Sequence, residues 1–312
     1  MFRKIMKRCG ILGMLCALLG GMPGAAGAEI QPIPLDMKEH GTAPKAEGWL
    51  TPNAEYQDES IHATLYEKKK HKAKSSDGPT TIHWVVIEVS DSSQIRTVLS
   101  YDSYEDKNSA EAPEMVRYLN PVVALNDDYV KMSNYKGYVM RQGVFCNDNL
   151  DEWGEDLKQD VLIIDDQGDF SVVQKASSAD VESFVGDLDA QGKKPVNIFT
   201  FGPALVLNGE AQTILRSDST HAVNISAART AICQLDHLKY AVFAVDGVTG
   251  VGMNCQELAN FIVQQFPECR VAYNLDGGGS SRLFMGTKKV NSAKGRREIY
   301  GMIYFASAAA EE

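Results

Sequence analysis

Residues 269–284 read CRVAYNLDGGGSSRLF. Val271, Ala272, Tyr273 and Leu275 are apolar, so the first half reads as a short buried strand. That strand carries Asn274 and Asp276 into Gly277, Gly278 and Gly279, followed by Ser280 and Ser281. Polar groups at the end of a buried strand need partners. Glycines reach backbone angles closed to other residues and leave no side chain between N–H groups and a ligand. Successive N–H groups in such a turn form an anion-binding concavity, to which Ser280 and Ser281 add hydroxyls. The plain alternative is a glycine-rich bulge or hairpin corner. Asp276 and Asn274 beside the turn favour a site.

Working outward, residues 239–245 form an apolar run that ends in Asp246-Gly247. Asn254 with Glu257 three residues on is a capping-box pattern that opens a helix over 256–266. Leu258, Ile262 and Phe266 keep helical spacing on one face, and Pro267 ends it. Strand, helix and strand make a βαβ-like unit whose two strands both end in Asp-Gly. In a parallel pair these turns lie side by side. Upstream, 227–233 reads as the hairpin partner of 239–245, and 197–207 as a strand followed by the Asn208-Gly209 turn. A helix is expected over 180–191, capped by Ser177 or Ser178, and another near 112–119.

The apolar run 121–125 ends in Asn126-Asp127-Asp128-Tyr129, a second buried strand that terminates in polar groups. Segments 59–66 and 80–89 are strand-like, and the basic run Lys68 to Lys74 between them reads as a solvated hairpin tip. A hold on an acidic polymer is the lesser reading of that run. His62 and His83 fall in these strands and read as surface or core histidines rather than ligands. The final strand, 299–306, follows Arg296 and Arg297. Strands outnumber helices, which gives α+β: a mixed β-sheet core with a few flanking helices and the C-terminal βαβ-like unit.

The 312 residues are 44% hydrophobic, enough for a sizeable core, and carry a net charge of −10. That balance argues against nucleic acid and anionic membrane surfaces as partners. Arg3, Lys4, Lys7 and Arg8 precede an apolar run over 11–19 and an Ala26-Gly27-Ala28 cleavage pattern. Residues 1–28 therefore read as a secretory signal peptide, which places the mature chain in the periplasm or outside the cell with no membrane anchor. Residues 29–58 read as an extended arm and 59–312 as a single domain.

Beyond the signal, Cys146, Cys233, Cys255 and Cys269 remain, which in an exported chain suggests two disulfides. A helix between Cys255 and Cys269 would hold them roughly 20 Å apart, too far to bond. Cys233 and Cys269 fall at the sheet edge opposite the Asp-Gly turns, so Cys233–Cys269 is expected, with Cys146–Cys255 as the second bridge.

The groups gathered at strand ends are Asn126, Asp127, Asp128, Arg229, Asp246, Asn274, Asp276 and the turn 277–281. Carboxylates, an arginine and an N–H cradle suit an uncharged sugar joined to a phosphate. Arg229 could grip two phosphate oxygens in a bidentate fork, or instead form a salt bridge with one of the acids. Asp276, Asp246 and Asp128 could supply acid and base on a glycosidic bond. The acid cluster could alternatively hold Ca²⁺ or Mg²⁺, which prefer oxygen ligands. Competing motifs fail: Gly278-Gly279-Ser280-Ser281-Arg282 lacks the last glycine of a nucleophile elbow, and no H-E-x-x-H occurs.

Asn274-Leu275-Asp276-Gly277-Gly278-Gly279-Ser280-Ser281 resembles the signature of the phosphodiester glycosidase family, and the resemblance extends over 82–305. Val245-Asp246-Gly247 and Glu257-Leu258-Ala259 stand in the family's order and spacing. Phe201-Gly202-Pro203-Ala204-Leu205-Val206 resembles its GPxLV strand. Arg229-Thr230-Ala231-Ile232 is similar to its R-T-A-I-G strand, with Cys233 replacing the glycine. Arg297 falls where the family has an arginine before the last strand. Asp127 and Asp128 replace small residues, and Val248 stands where bacterial relatives carry arginine. The resemblance implies hydrolysis of a sugar-1-phosphodiester in an envelope or extracellular glycan. It implies Asn126, Asp127, Arg229, Thr230, Gly247, Asn274, the turn and Arg297 as substrate-binding positions. A non-catalytic polysaccharide-binding protein and a metal-dependent phosphoesterase cutting P–O are the competing readings.

Overall fold

The computed structural model describes residues 30–106, 108–128, 136–154, 157–215, 222–292 and 297–310. The expected signal peptide with Cys9 and Cys16, as well as Tyr129 and Arg296, lies outside the described residues.

Alternating β-branched and aromatic residues build β1 (Glu55–Gln57), β2 (Ile61–His71), β3 (Thr80–Val89) and β4 (Ile95–Leu99). Helix α1 (Ala112–Leu119) starts at a proline and is stopped by Asn120 in the left-handed conformation. Strands β5 (Val123–Asn126), β6 (Tyr138–Arg141), β7 (Val144–Asp148), β8 (Gln159–Asp165) and β9 (Phe170–Ala176) follow. Helix α2 (Ser178–Ala190) opens on a capping box between Ser177 and Asp180. After it come β10 (Pro195–Thr200), β11 (Ala204–Leu207), β12 (Glu210–Ala211), β13 (Arg229–Asp236) and β14 (Lys239–Val245). The expected Asn254–Glu257 capping box opens α3 (Cys255–Gln265). The chain then forms β15 (Val271–Leu275), β16 (Leu283–Met285), β17 (Lys288–Lys289) and β18 (Gly301–Phe305). The class is α+β.

The strands form an eight-stranded sheet ordered β1-β2-β3-β14-β13-β15-β11-β12 and two five-stranded sheets, β7-β6-β10-β8-β9 and β17-β16-β5-β18-β4. Their inner faces meet in one core, where Val85, Val242 and Tyr273 pack with Leu162, Phe199, Leu125 and Ile303. Each helix covers one outer face. Helix α3 buries Leu258, Phe261 and Ile262 against Phe243, Cys233 and Ala272 of the large sheet. Each such side chain contributes about 1.5–3 kcal/mol by leaving water. Helix α2 packs through Val181 and Leu188 on Ile163 and Ile198, and α1 through Met115, Val116 and Leu119 on Ala124 and Met302.

Two local expectations change. The basic run does not begin at a hairpin tip, because β2 continues through Lys68, Lys69 and Lys70 to His71. Lys68 lays its ammonium 5.2 Å over the Phe261 ring. The two strands of the β14–α3–β15 unit also are not neighbours. The 236–239 turn puts β13 directly beside β14, and β3 holds the other edge of β14, so β15 pairs with the far side of β13. A short hairpin wins the adjacent position because its closure is local. Strands β14 and β15 still run the same way, since both are antiparallel to β13. Their Asp-Gly turns therefore leave the same end of the sheet, with the start of β13 between them. Among the described residues, no helix is long and apolar enough to cross a membrane.

Candidate active site

Asp276 leaves the end of β15 with its side chain 14% exposed and its Oδ2 3.9 Å from Nη1 of Arg297. Burial pushes its carboxyl up to about 6, against the opposing pull of the Ser280 hydroxyl, the Arg297 charge and the Gly277 N–H. The Asp128 charge adds to the upward shift. A carboxyl held there changes protonation state close to neutral pH.

The glycine turn is not the open N–H cradle expected from the sequence. Gly278 donates its N–H to Ala228 O at 2.8 Å, Ser280 to Gly277 O at 3.0 Å and Ser281 to Gly278 O at 3.3 Å. The Gly277 N–H and the Ser280 hydroxyl serve Asp276. The turn thus closes on its own carboxylate. Glycine is required here for a different reason. A Cβ on Gly277 would stand 2.6 Å from Ala228 O, and one on Gly247 would stand 2.9 Å from Ala228 N. Both Asp-Gly turns grip the backbone that leads into β13. Gly278, at φ +55°, differs: among the described residues nothing lies within 4 Å of a Cβ placed there.

Behind the turn lies a closed polar network. Asn126 donates Nδ2–H to Asp276 O at 2.7 Å and Asp127 O at 3.2 Å. Its Oδ1 accepts from Thr230 Oγ1 at 3.0 Å and Arg282 N at 2.9 Å. All four hydrogen-bonding positions of that amide are filled. Thr230 and Ser281 share a 2.9 Å hydroxyl pair, and Asn274 donates to Gly202 O at 2.8 Å. None of Asn126, Thr230, Asn274 or Ser281 is more than 1% exposed. These residues hold the turn from inside the protein, while the buried Asn274 Oδ1 has no hydrogen-bond partner among the described residues.

Asp127 and Asp128 are likewise buried, and they find a cation that sequence reading passed over. Arg141, on β6, places Nη2 2.8 Å from Asp128 Oδ1 and 3.4 Å from Asp127 Oδ2. Its guanidinium stacks 4.1 Å from the Phe199 ring centroid and donates to Ile198 O at 2.5 Å. Asp128 Oδ2 also accepts the Thr200 N–H at 3.1 Å. The fit is to an arginine rather than to a divalent ion, and the pair sits beneath the site as its support. Burial and the adjacent Asp128 charge push the Asp127 carboxyl well above the ordinary range. The signal for Arg141 was a lone charge inside the apolar segment 138–145.

Asp246, at the end of β14, is 17% exposed and accepts the Ser292 N–H at 2.5 Å. The His83 Nε2 lies 3.0 Å from its Oδ2, and the His83 Nδ1 lies 3.2 Å from Glu67 Oε1. His83, read from the sequence as a satisfied histidine, is thus set between two carboxylates. Arg229 does not form the expected phosphate fork. Its Nε donates to Met253 O at 3.0 Å, and its Nη2 to Ala222 O at 2.7 Å and Ile225 O at 2.5 Å. It is 6% exposed and ties down the loop before β13. Among the described residues no carboxylate partners it, and its donors go to these carbonyls. Among the described residues, the cations that face the turn are Arg297, 44% exposed, with Arg282 behind it. Arg282 Nη1 donates to Gly279 O and Ser281 O, each at 2.9 Å, clamping the turn's carbonyls. Burial and the neighbouring Arg297 charge hold its guanidinium below the usual value.

The four described cysteines are all thiols. Cys233 and Cys269 do lie within hydrogen-bond reach of each other under α3, but the expected bridge is not formed. The second expected bridge fails on geometry. Cys146 is on β7 of a five-stranded sheet, while Cys255 is buried at the start of α3 against the large sheet.

A family model for phosphodiester glycosidases matches residues 120–306. Among solved structures, the chain resembles the catalytic domain of zebrafish N-acetylglucosamine-1-phosphodiester alpha-N-acetylglucosaminidase, auto-inhibited by its pro-peptide. The TM-score is 0.60 at 20% identity, covering 82% of this chain and 87% of that one. A hypothetical protein from Synechocystis aligns with a TM-score of 0.49 at 13% identity, over 79% of this chain and 62% of that chain. No curated protein sequence matches. The structural likeness is one of fold, while the family match spans more than half of the chain and includes β5, β13, β14 and the Asp276 turn. The chain belongs to the phosphodiester glycosidase family.

Proposed function

We propose that the protein is an exported hydrolase that cleaves the C–O bond between a sugar and its phosphodiester in an envelope or extracellular glycan. The observation that carries this reading is Asp276, a carboxyl held at about 6 beside Arg297 at the start of the glycine turn. Family membership supports the reaction class, and the signal-peptide pattern in 1–28 supports export.

A phosphate monoester is a good leaving group, because its second ionisation lies near 6 and it needs little protonation to depart. Stabilising its charge and activating water are therefore the larger tasks. In the proposed step, ionised Asp276 takes a proton from water as the water oxygen bonds to the anomeric carbon. The C–O bond breaks, its electron pair stays on the bridging oxygen, and Arg297 faces the phosphate charge. Asp246 is the second solvent-reaching carboxylate at this sheet end. Asp128 and Asp127, with Arg141, set the field behind Asp276.

Hydrolysis of a synthetic sugar-1-phosphodiester in ¹⁸O-labelled water tests the reading. The label is expected in the sugar, with kcat/KM rising as pH passes through about 6. Label in the phosphate would instead establish P–O cleavage, and binding without turnover would leave a polysaccharide-binding protein.

A further inference from the structure

A cavity is lined by the end of β4, the turn that follows it and helix α1. Its volume is about 350 Å³, and it lies between α1 and the turn Ser100–Asp102. Val98, Met115 and Leu119 give it a buried apolar floor. Its rim carries Tyr101, 67% exposed, and Tyr118, 58% exposed, together with Asp102 and Glu114. Among the described residues, no lysine or arginine lines it.

The rim is held in place before anything binds. Tyr118 donates its hydroxyl to Asp102 Oδ2 at 3.2 Å, and the His40 ring meets Tyr118 edge-on at 4.9 Å. Tyr101 and Asp102 both take left-handed angles, with φ of 59° and 54°. Two consecutive non-glycine residues there are uncommon, and such strain collects at ligand sites. That turn lifts one aromatic face and one carboxylate to the same opening.

The cavity's lining is tied to the segment that follows Arg297. Ser100 N donates to Tyr300 O at 2.7 Å, and Ala110 bridges to Ile299. Two of the cavity's lining residues, Ser100 and Ala110, are thus hydrogen-bonded to the backbone two and three residues after Arg297.

We propose that the cavity is a subsite for a neutral pyranose of the glycan beyond the scissile phosphodiester, an assignment that rests on the reaction proposed above. A pyranose presents an apolar C–H face, which suits the tyrosine rings, and an edge of hydroxyls, which donate to Asp102 and Glu114. The two rim carboxylates select against phosphate and uronate groups. The volume lies at the low end for ligand sites and holds roughly one or two sugar rings.

Saturation-transfer NMR on the full chain tests the assignment, with the methyl α-pyranosides of glucose, galactose and N-acetylglucosamine as probes. At least one should receive saturation from the wild type and equally from Asp276→Asn. Tyr101→Ala should weaken that binding about two- to tenfold, the value of one aromatic face, and Glu114→Gln should weaken it less. Both side chains are at the surface, so melting temperature should stay at the wild-type value. The KM for a phosphodiester with an oligosaccharide leaving group should rise in Tyr101→Ala, while that for a methyl leaving group stays constant. No transfer to any probe, or transfer untouched by Tyr101→Ala, overturns the subsite. So does transfer lost in Asp276→Asn, which would put the sugar at the catalytic turn alone. The absence of turnover on both phosphodiesters would defeat the proposed reaction and leave the NMR result to decide the subsite.

Discussion

Asp276→Asn should lower turnover and raise stability in the same protein, with a pH dependence that identifies the cause. The Asp276 carboxyl stands at about 6 in the fold against 3.8 for an ordinary aspartate. An acid whose folded value is raised binds more protons folded than unfolded, so stability falls as pH rises from 3.8 towards 6. Two units at 1.36 kcal/mol each give a cost of about 3 kcal/mol, fully present above pH 6 and absent well below 3.8. Asparagine removes that cost while giving up part of the interaction with Ser280 and the Gly277 N–H, so a net gain of about 1–3 kcal/mol is expected at pH 8. In a chain of this size that is about 2–4 °C of melting temperature per kcal/mol. Turnover should drop about 10²–10⁴-fold, the loss of one general base. Thermal melts of both proteins from pH 3.5 to 8, paired with single-turnover kinetics, provide the readout. The curves should converge at the acid end and separate through about 6. A variant that melts lower at every pH while turning over normally would refute the argument and reduce Asp276 to an anchor for its turn.

Gly277→Ala should destabilise the fold strongly, because its Cβ would meet Ala228 O at 2.6 Å, whereas Gly278→Ala meets no described residue within 4 Å and costs only about 1–2 kcal/mol of left-handed strain. Substrate affinity, measured on the folded fraction of Gly278→Ala, should fall more than its stability does. Arg229→Lys should lower the melting temperature and leave activity per folded molecule near wild type, since a lysine cannot reach the carbonyls of Met253, Ala222 and Ile225 together. Preserved stability with lost substrate binding would restore Arg229 as a phosphate ligand. Arg141→Met should cost about 3–5 kcal/mol in denaturant unfolding, because it leaves Asp127 and Asp128 buried without their cation. Lowering the pH should recover part of that loss by protonating the pair.

Local chemistry alone settled much of this protein. The Asn254–Glu257 box, the Ser177 cap and the run of apolar residues in β5 and β15 act within one turn or one strand, so their readings stand in the fold. The Asp-Gly turns at 246 and 276 and the importance of Gly277 were also legible, because glycine announces a backbone constraint wherever it falls. Which atoms would meet was not. The sequence offered Arg229 a phosphate or one of the acids as partner, but its guanidinium is consumed by three carbonyls that only the path of 222–253 brings near. The Asp127–Asp128 pair looked open to substrate or metal until β6 carried Arg141 beneath it. The parallel neighbour expected for β14 was displaced by β13, since hairpin closure is local and the crossover through α3 is not. Sequence spacing fixes the alternation of a strand and the cap of a helix. It leaves open which buried charge finds which partner, because desolvation and pairing depend on distances that exist only once the three sheets have closed on their common core.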